Sequence, residues 1–340
     1  MKKMLAAQVT KPGTPFELVE REVPQPGPGQ VRVKVLACGV CHSDLVVREN
    51  LWPGLQFPRV PGHEVAGVID ESSPEAALDW QPGQRVGIGW HGGQCNRCIP
   101  CRRGDFANCI RLKITGVSYD GGYAQYMIAP VEALARMPDD LSPEDAAPLL
   151  CAGITTFNAL RHSGAGPGDL VAVQGVGGLG HLAIQFANKF GYHVVAIGRG
   201  PENADLAAKL GAYRYLDSNA VEPATELSKM GGARVILSTV PNSKAMSALI
   251  NGLGANGTLM VVGVGPEAIE VTPIQLIQGR KNIQGWPSGT PADSEDTLRF
   301  SKLTGVRPMI EKFPLSKVNE AYDRMMSGRV QFRAVLTMPS

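Results

Sequence analysis

The six residues Gly175-Val176-Gly177-Gly178-Leu179-Gly180 constrain this chain more than any other stretch. They follow a run with buried-strand character, Leu170–Gln174, and precede a segment in which Leu182, Ala183, Phe186, Ala187 and Phe190 recur at helical spacing. Strand, G-x-G-x-x-G turn and helix in that order predict a dinucleotide-binding unit. The glycines permit a tight turn and let a pyrophosphate approach the helix N-terminus. Further strands are expected at residues 194–197, 213–216, 235–238, 259–262 and near Ile283, enough for a doubly wound parallel sheet.

The second strand of such a unit normally ends in a carboxylate that binds the adenosine ribose. Here "VVAIGRG" puts Gly198 at that place and Arg199 beside it. Glycine leaves room for a 2′-phosphate and arginine can pair with it, so NADP(H) is favoured over NAD(H).

Upstream of about residue 135 the pattern is different. Short β-rich runs such as Val31–Val35 and Arg85–Ile88 are broken by Gly and Pro, and the C-terminal "FRAVLTM" reads as a strand able to rejoin this half. The expected fold class is α/β: a β-rich domain, residues 1–150 and 283–340, and a Rossmann domain, residues 151–282. A length of 340 residues suits two domains. With 44% hydrophobic and 19% charged residues and a formal charge of +2, neither disorder nor a nucleic-acid or membrane partner is indicated. The N-terminus lacks the apolar segment of an export signal, so a cytoplasmic location with reduced thiols is expected.

Seven cysteines then call for a chemical reason. Cys95, Cys98, Cys101 and Cys109 are spaced C-x2-C-x2-C-x7-C, which suits a closed tetrahedral zinc site. Similar spacing can also hold an iron–sulfur cluster. Elsewhere "CHSD" at Cys41-His42-Ser43-Asp44 and "GHEVAG" with His63 and Glu64 concentrate reactive side chains. Cys151 in "LLCAGIT" is the other cysteine besides Cys38 outside the lobe. Cys/His/Cys is one set that binds a catalytic zinc with an open position, although a lone buried cysteine or histidine is ordinarily core.

Taken in order, "GVCHSD", "GHEVAG", the four-cysteine lobe, "CAGIT", "GVGGLG" and "FRAVL" resemble the zinc-dependent medium-chain alcohol dehydrogenases over essentially the whole chain. The resemblance implies a GroES-like catalytic domain around an inserted Rossmann domain, with the active site in the cleft. It implies two Zn²⁺ per subunit. Cys41, His63 and Cys151 would hold the catalytic one, and Cys95, Cys98, Cys101 and Cys109 the structural one. Glu64 would lie behind the catalytic metal, Asp44 would orient His63, and Ser43 would take the alcohol proton. His42 and Arg333 match positions near the cofactor pyrophosphate, alongside Gly175, Gly177, Gly178, Leu179 and Gly180. Trp52 and Trp90 match the substrate pocket, with Trp286 a further apolar candidate.

The implied reaction interconverts primary alcohols and aldehydes, with secondary alcohols and ketones admissible, by hydride transfer to or from the nicotinamide. A homodimer or homotetramer is expected. One departure stands out: many members carry a histidine three residues after the serine to relay the proton, and here that residue is Val46. The rival readings are a zinc hydrolase, which leaves the dinucleotide unit without a purpose, and a non-catalytic zinc- and nucleotide-binding relative.

Overall fold

The computed structural model describes residues 2–339 and divides into two units, one formed by the residues up to Ile154 with those from Ser288 onward, the other by Thr155–Pro287.

The first unit is built on a seven-stranded sheet whose pivot is the long strand Gln30–Val40. Its alternating Val31, Val33 and Val35 are buried while the residues between are partly exposed, the period-2 pattern of a strand with one core face. Along one edge it pairs antiparallel with Val65–Ser72, and along the opposite edge its first half pairs antiparallel with Tyr126–Pro130. The second half of that opposite edge pairs with Arg333–Thr337, so the C-terminal strand does rejoin the N-terminal half. Two registers fix one end of this sheet. Cys38 lies opposite Val65, and Ala334 lies opposite Val40. The end of the pivot strand, the start of Val65–Ser72 and the start of Arg333–Thr337 therefore converge.

The second unit is a six-stranded parallel sheet in the order Arg214–Asp217, His193–Gly198, Leu170–Gln174, Ala233–Ser238, Leu253–Val261, Asn282–Gly285. In sequence order that is 3-2-1-4-5-6, the doubly wound arrangement. The helix Gly180–Lys189 follows the glycine-rich turn and buries Leu182, Ala183, Phe186 and Ala187. A Cβ on Gly180 would collide with the Gly175 carbonyl, so the third glycine of the motif is needed for close packing of helix and turn.

The division differs from the expected boundaries at both ends. The strand Asn282–Gly285 completes the parallel sheet through its pairing with Leu253–Val261, so the chain leaves this unit after Pro287 rather than at 282. Cys151, expected to begin the Rossmann domain, belongs to the first unit. Among the described residues no helix is long and apolar enough to cross a membrane.

Candidate active site

The pivot strand ends at Val40 and delivers Cys41 into a short 3-10 turn, His42–Asp44. Asp44 folds back and accepts the Cys41 backbone N–H at 2.9 Å, closing a capping box. His63 and Glu64 immediately precede the neighbouring strand, and the Gly39 N–H donates to the Glu64 carbonyl at 3.0 Å. Pairing of adjacent strands thus brings together residues more than twenty positions apart. Cys151 arrives by another route. The helix Pro143–Pro148 ends in a proline that has no N–H to donate, and a π-helical turn, Leu149–Gly153, comes next. Such turns are recurrent at functional sites, and this one carries Cys151.

The outcome is a cluster of Cys41, His63, Glu64 and Cys151 in which one ligand atom from each lies within 4.8 Å of all the others. The sulfurs of Cys41 and Cys151 are 3.8 Å apart, too far for a disulfide. The separation equals the edge of a tetrahedron with Zn–S bonds of about 2.3 Å, which is about 3.8 Å. His63 is buried, its Nδ1 faces Asp44 Oδ1 at 3.2 Å, and its Nε2 has no hydrogen-bond partner. A buried imidazole nitrogen left bare costs free energy unless something occupies it. With one nitrogen fixed by a carboxylate, the other is aimed as in carboxylate–histidine–metal arrangements.

Electrostatics point the same way. Hydrogen bonding from Cys151, aided by the charge of His63, pulls the Cys41 thiol well below its ordinary pKa, while the same contact and burial push Cys151 well above. Burial alone would lower His63, yet the negative charges of Asp44 and Cys41 raise it well above its usual value. Burial pushes Glu64 up to about 8 against the attraction of Arg333. Protons are thus held on a donor set that a divalent cation would displace. The residues fit a metal ion.

Arg333 begins its strand one residue before the Ala334–Val40 pair and is buried, with its guanidinium on Glu64 Oε1. The other Glu64 oxygen has no partner. Of the other sequence candidates, Ser43 is partly buried and its N–H points at Cys41 Sγ at 3.5 Å. His42 is exposed. Trp90 meets the His63 ring edge-on, centroids 4.9 Å apart, whereas Trp52 is exposed on the turn after Leu51. Trp286 stacks on His162, at 4.6 Å and 13°.

One residue of the site carries no mark in the sequence. Tyr123, fully buried, donates its hydroxyl to Asp44 Oδ2 at 2.6 Å, so Asp44 is held by Cys41, Tyr123 and His63 together. It sits seventy-nine positions from Asp44 in "GGYAQY", where nothing local singles it out as polar core.

The four-cysteine lobe is a separate centre. Cys98 Sγ is 3.3 Å from Cys101 Sγ and 3.9 Å from Cys109 Sγ, and Cys95 Sγ is 4.0 Å from Cys101 Sγ. All four are free thiols. Cys109 accepts from the Cys95 and Arg111 backbone N–H groups, each at 3.4 Å. Backbone donation led by Arg97 draws Cys95 down to about 5, whereas burial pushes Cys101 up to about 12. Four sulfurs cannot all be thiolates at such separations without a cation, and this donor set suits tetrahedral Zn²⁺.

In the second unit a cavity of ≈ 1010 Å³ opens along the glycine-rich turn. Gly175, Gly177, Gly178, Leu179, Gly198 and Arg199 all line it. Arg199 is exposed, and its guanidinium has no ion pair among the described residues.

Residues 27–139 match the alcohol dehydrogenase GroES-like domain family and residues 178–302 the zinc-binding dehydrogenase family. The chain is 46% identical over 326 residues to the alcohol dehydrogenase patD of Penicillium expansum, covering 96% of this chain and 95% of that one. Among solved structures, a cinnamyl alcohol dehydrogenase of Sorghum bicolor superposes with a TM-score of 0.89 at 30% identity, over 99% of this chain and 98% of that one. CAD from Helicobacter pylori complexed with NADP(H) gives 0.85 at 25% identity, over 98% of both chains. Matched over nearly its whole length, with a zinc-competent donor set and a doubly wound dinucleotide unit, the chain belongs to the zinc-dependent medium-chain alcohol dehydrogenases.

Proposed function

We propose that the protein is an NADP(H)-preferring alcohol dehydrogenase with two zinc ions per chain, acting on primary alcohols and the corresponding aldehydes. The observation that carries the chemistry is the bare, buried Nε2 of His63 beside the sulfurs of Cys41 and Cys151. Cys41, His63 and Cys151 hold the catalytic ion, and Cys95, Cys98, Cys101 and Cys109 hold the structural one. Bound zinc supplies Lewis acidity to a substrate oxygen, and the nicotinamide accepts or donates hydride.

The chain's own residues do the remainder. Asp44 fixes the imidazole tautomer of His63 and, through the Cys41 N–H, the turn carrying the first thiolate. Arg333 pairs with one Glu64 oxygen and offsets part of the cost of burying that carboxyl, while the other oxygen stays unpartnered within the donor cluster. Ser43 takes the substrate hydroxyl proton in oxidation and returns it in reduction. With Val46 in place of a histidine relay, the proton leaves Ser43 through water. Trp90 and Trp52 supply apolar walls for the substrate chain. The backbone of Gly175–Gly180 binds the pyrophosphate. Arg199 pairs with the 2′-phosphate. The 25% identical Helicobacter pylori structure, complexed with NADP(H), is consistent with that preference.

The decisive experiment follows consumption of reduced nicotinamide with a panel of aldehydes, with each cofactor, before and after chelation. NADPH should be consumed with primary aldehydes and the activity should disappear with the metal. Turnover that survives complete removal of both ions would overturn the reading.

A further inference from the structure

We infer that Tyr215 closes the place from which a carboxylate at residue 198 would bind the adenosine ribose, and that Tyr215 and Gly198 together set dinucleotide selectivity. The strand Arg214–Asp217 runs parallel to His193–Gly198, with Tyr215 opposite Ala196 and Asp217 opposite Gly198. A Cβ added to Gly198 would run into the Tyr215 hydroxyl, and the ring carbons Cε2 and Cζ would stand at 3.0 Å. A loose side chain could step aside, but this one is tied. Its hydroxyl donates to the Gly200 carbonyl at 2.7 Å. Asp217 Oδ1 accepts the Gly200 N–H at 2.8 Å and the Asn219 N–H at 2.9 Å. Both polar backbone groups of Gly200 are therefore held by side chains of the third strand, and the turn 198–200 is clamped around the tyrosine.

The consequence is a coupling between two positions. Exchanging Gly198 alone cannot deliver a carboxylate to the ribose, because Tyr215 would first have to give up its bond to Gly200 and leave. Removing the ring with valine, a good strand residue, should free the place. The selectivity part of this inference rests on the NADP(H) preference proposed above, whereas the steric coupling does not.

The test measures NAD⁺ and NADP⁺ affinity by titration without substrate for the wild type, Gly198→Asp, Tyr215→Val and the double variant. Gly198→Asp should lose NADP⁺ affinity and gain no NAD⁺ affinity, and the double variant should bind NAD⁺ at least about tenfold more tightly than Gly198→Asp, a coupling typical of contacting residues. Equal NAD⁺ affinity in Gly198→Asp and the double variant would overturn the inference. Should the aspartate variant fail to fold, Gly198→Ala should melt below the wild type and regain that loss when Tyr215→Val is added. An alanine variant that melts like the wild type would likewise overturn it. Wild-type protein that binds NAD⁺ more tightly than NADP⁺ refutes the cofactor preference separately, while the 198–215 coupling is still read from the variants.

Discussion

The two cysteine centres use similar donors and are built in opposite ways. In the lobe, four sulfurs come from residues 95–109, and backbone N–H groups of the same loop serve them. In the other, the donors come from residues 41, 63, 64 and 151 and are positioned by strand register, a π-helical turn and a buried carboxylate. A centre closed within one loop has all its positions filled by protein and can hold only structure in place. Under the proposed function the dispersed centre is the one that admits a substrate, because Cys41, His63 and Cys151 as ligands would leave a fourth position open.

Single ligand exchanges test that contrast most severely. Cys41→Ala should lower kcat by on the order of a thousandfold or more, with a small change in Tm, because Lewis acidity is lost while the sheet remains. Cys101→Ala should do the reverse. Metal content should fall by one ion per chain and Tm by roughly 10 °C, as a loop with little apolar packing of its own loses its cross-link. Metal analysis, thermal melts and steady-state kinetics on both variants check this. The contrast fails if Cys101→Ala retains its Tm.

Tyr123→Phe probes the dispersed centre at one remove. The hydroxyl touches no ligand, only the carboxylate that orients His63 and the Cys41 turn. Loss of such a supporting contact should weaken metal binding at that centre by about tenfold, measured by competition with a chelator, and leave the lobe's affinity unchanged. A melt lowered with both affinities intact would make Tyr123 an ordinary core residue.

The same contrast governs how far each centre can be read from the sequence. The lobe is complete in its spacing, because all its ligands lie within fifteen residues. The glycine-rich turn is equally legible, since strand, turn and helix are contiguous. Cys41, His63 and Cys151 can be gathered only through a family resemblance. Their meeting depends on Cys38 pairing with Val65 and on the turn after Pro148, neither of which has a local signature. Tyr123 has none at all. Arg333 reads as a cofactor contact from "FRAVL", and the ion pair it makes with Glu64 comes from a strand register 269 residues apart in sequence. Gly198 is legible as an absence of carboxylate. Tyr215, which fills that place, is not, because a parallel neighbour cannot be inferred from residue types alone.

Peripheral charge, by contrast, should barely reach the dispersed centre. Glu144 lies in the first turn of the helix Pro143–Pro148, which leads into the turn bearing Cys151, and it meets Lys312 Nζ at 2.9 Å. The hydrogen bond from Lys312 holds its carboxyl below the ordinary value, against the opposing effect of partial burial. A depressed folded pKa means the unfolded chain binds more protons as the carboxylate titrates. The pair therefore stabilises above the unfolded value of about 4.3, and the contribution disappears as pH falls through the folded one. Lys312 is more than half exposed, so after discounting for solvent the pair contributes at most about 0.5 kcal/mol. Lys312→Met should accordingly lower Tm by a degree or two at neutral pH, by progressively less as pH falls below the unfolded value of about 4.3, and by less in high salt. Its kcat should match the wild type, because Pro148 and the packing of Leu149 and Leu150 fix the turn independently of this pair. A severalfold fall in kcat without loss of fold would mean that the surface charge, rather than the buried turn, sets the position of the third ligand.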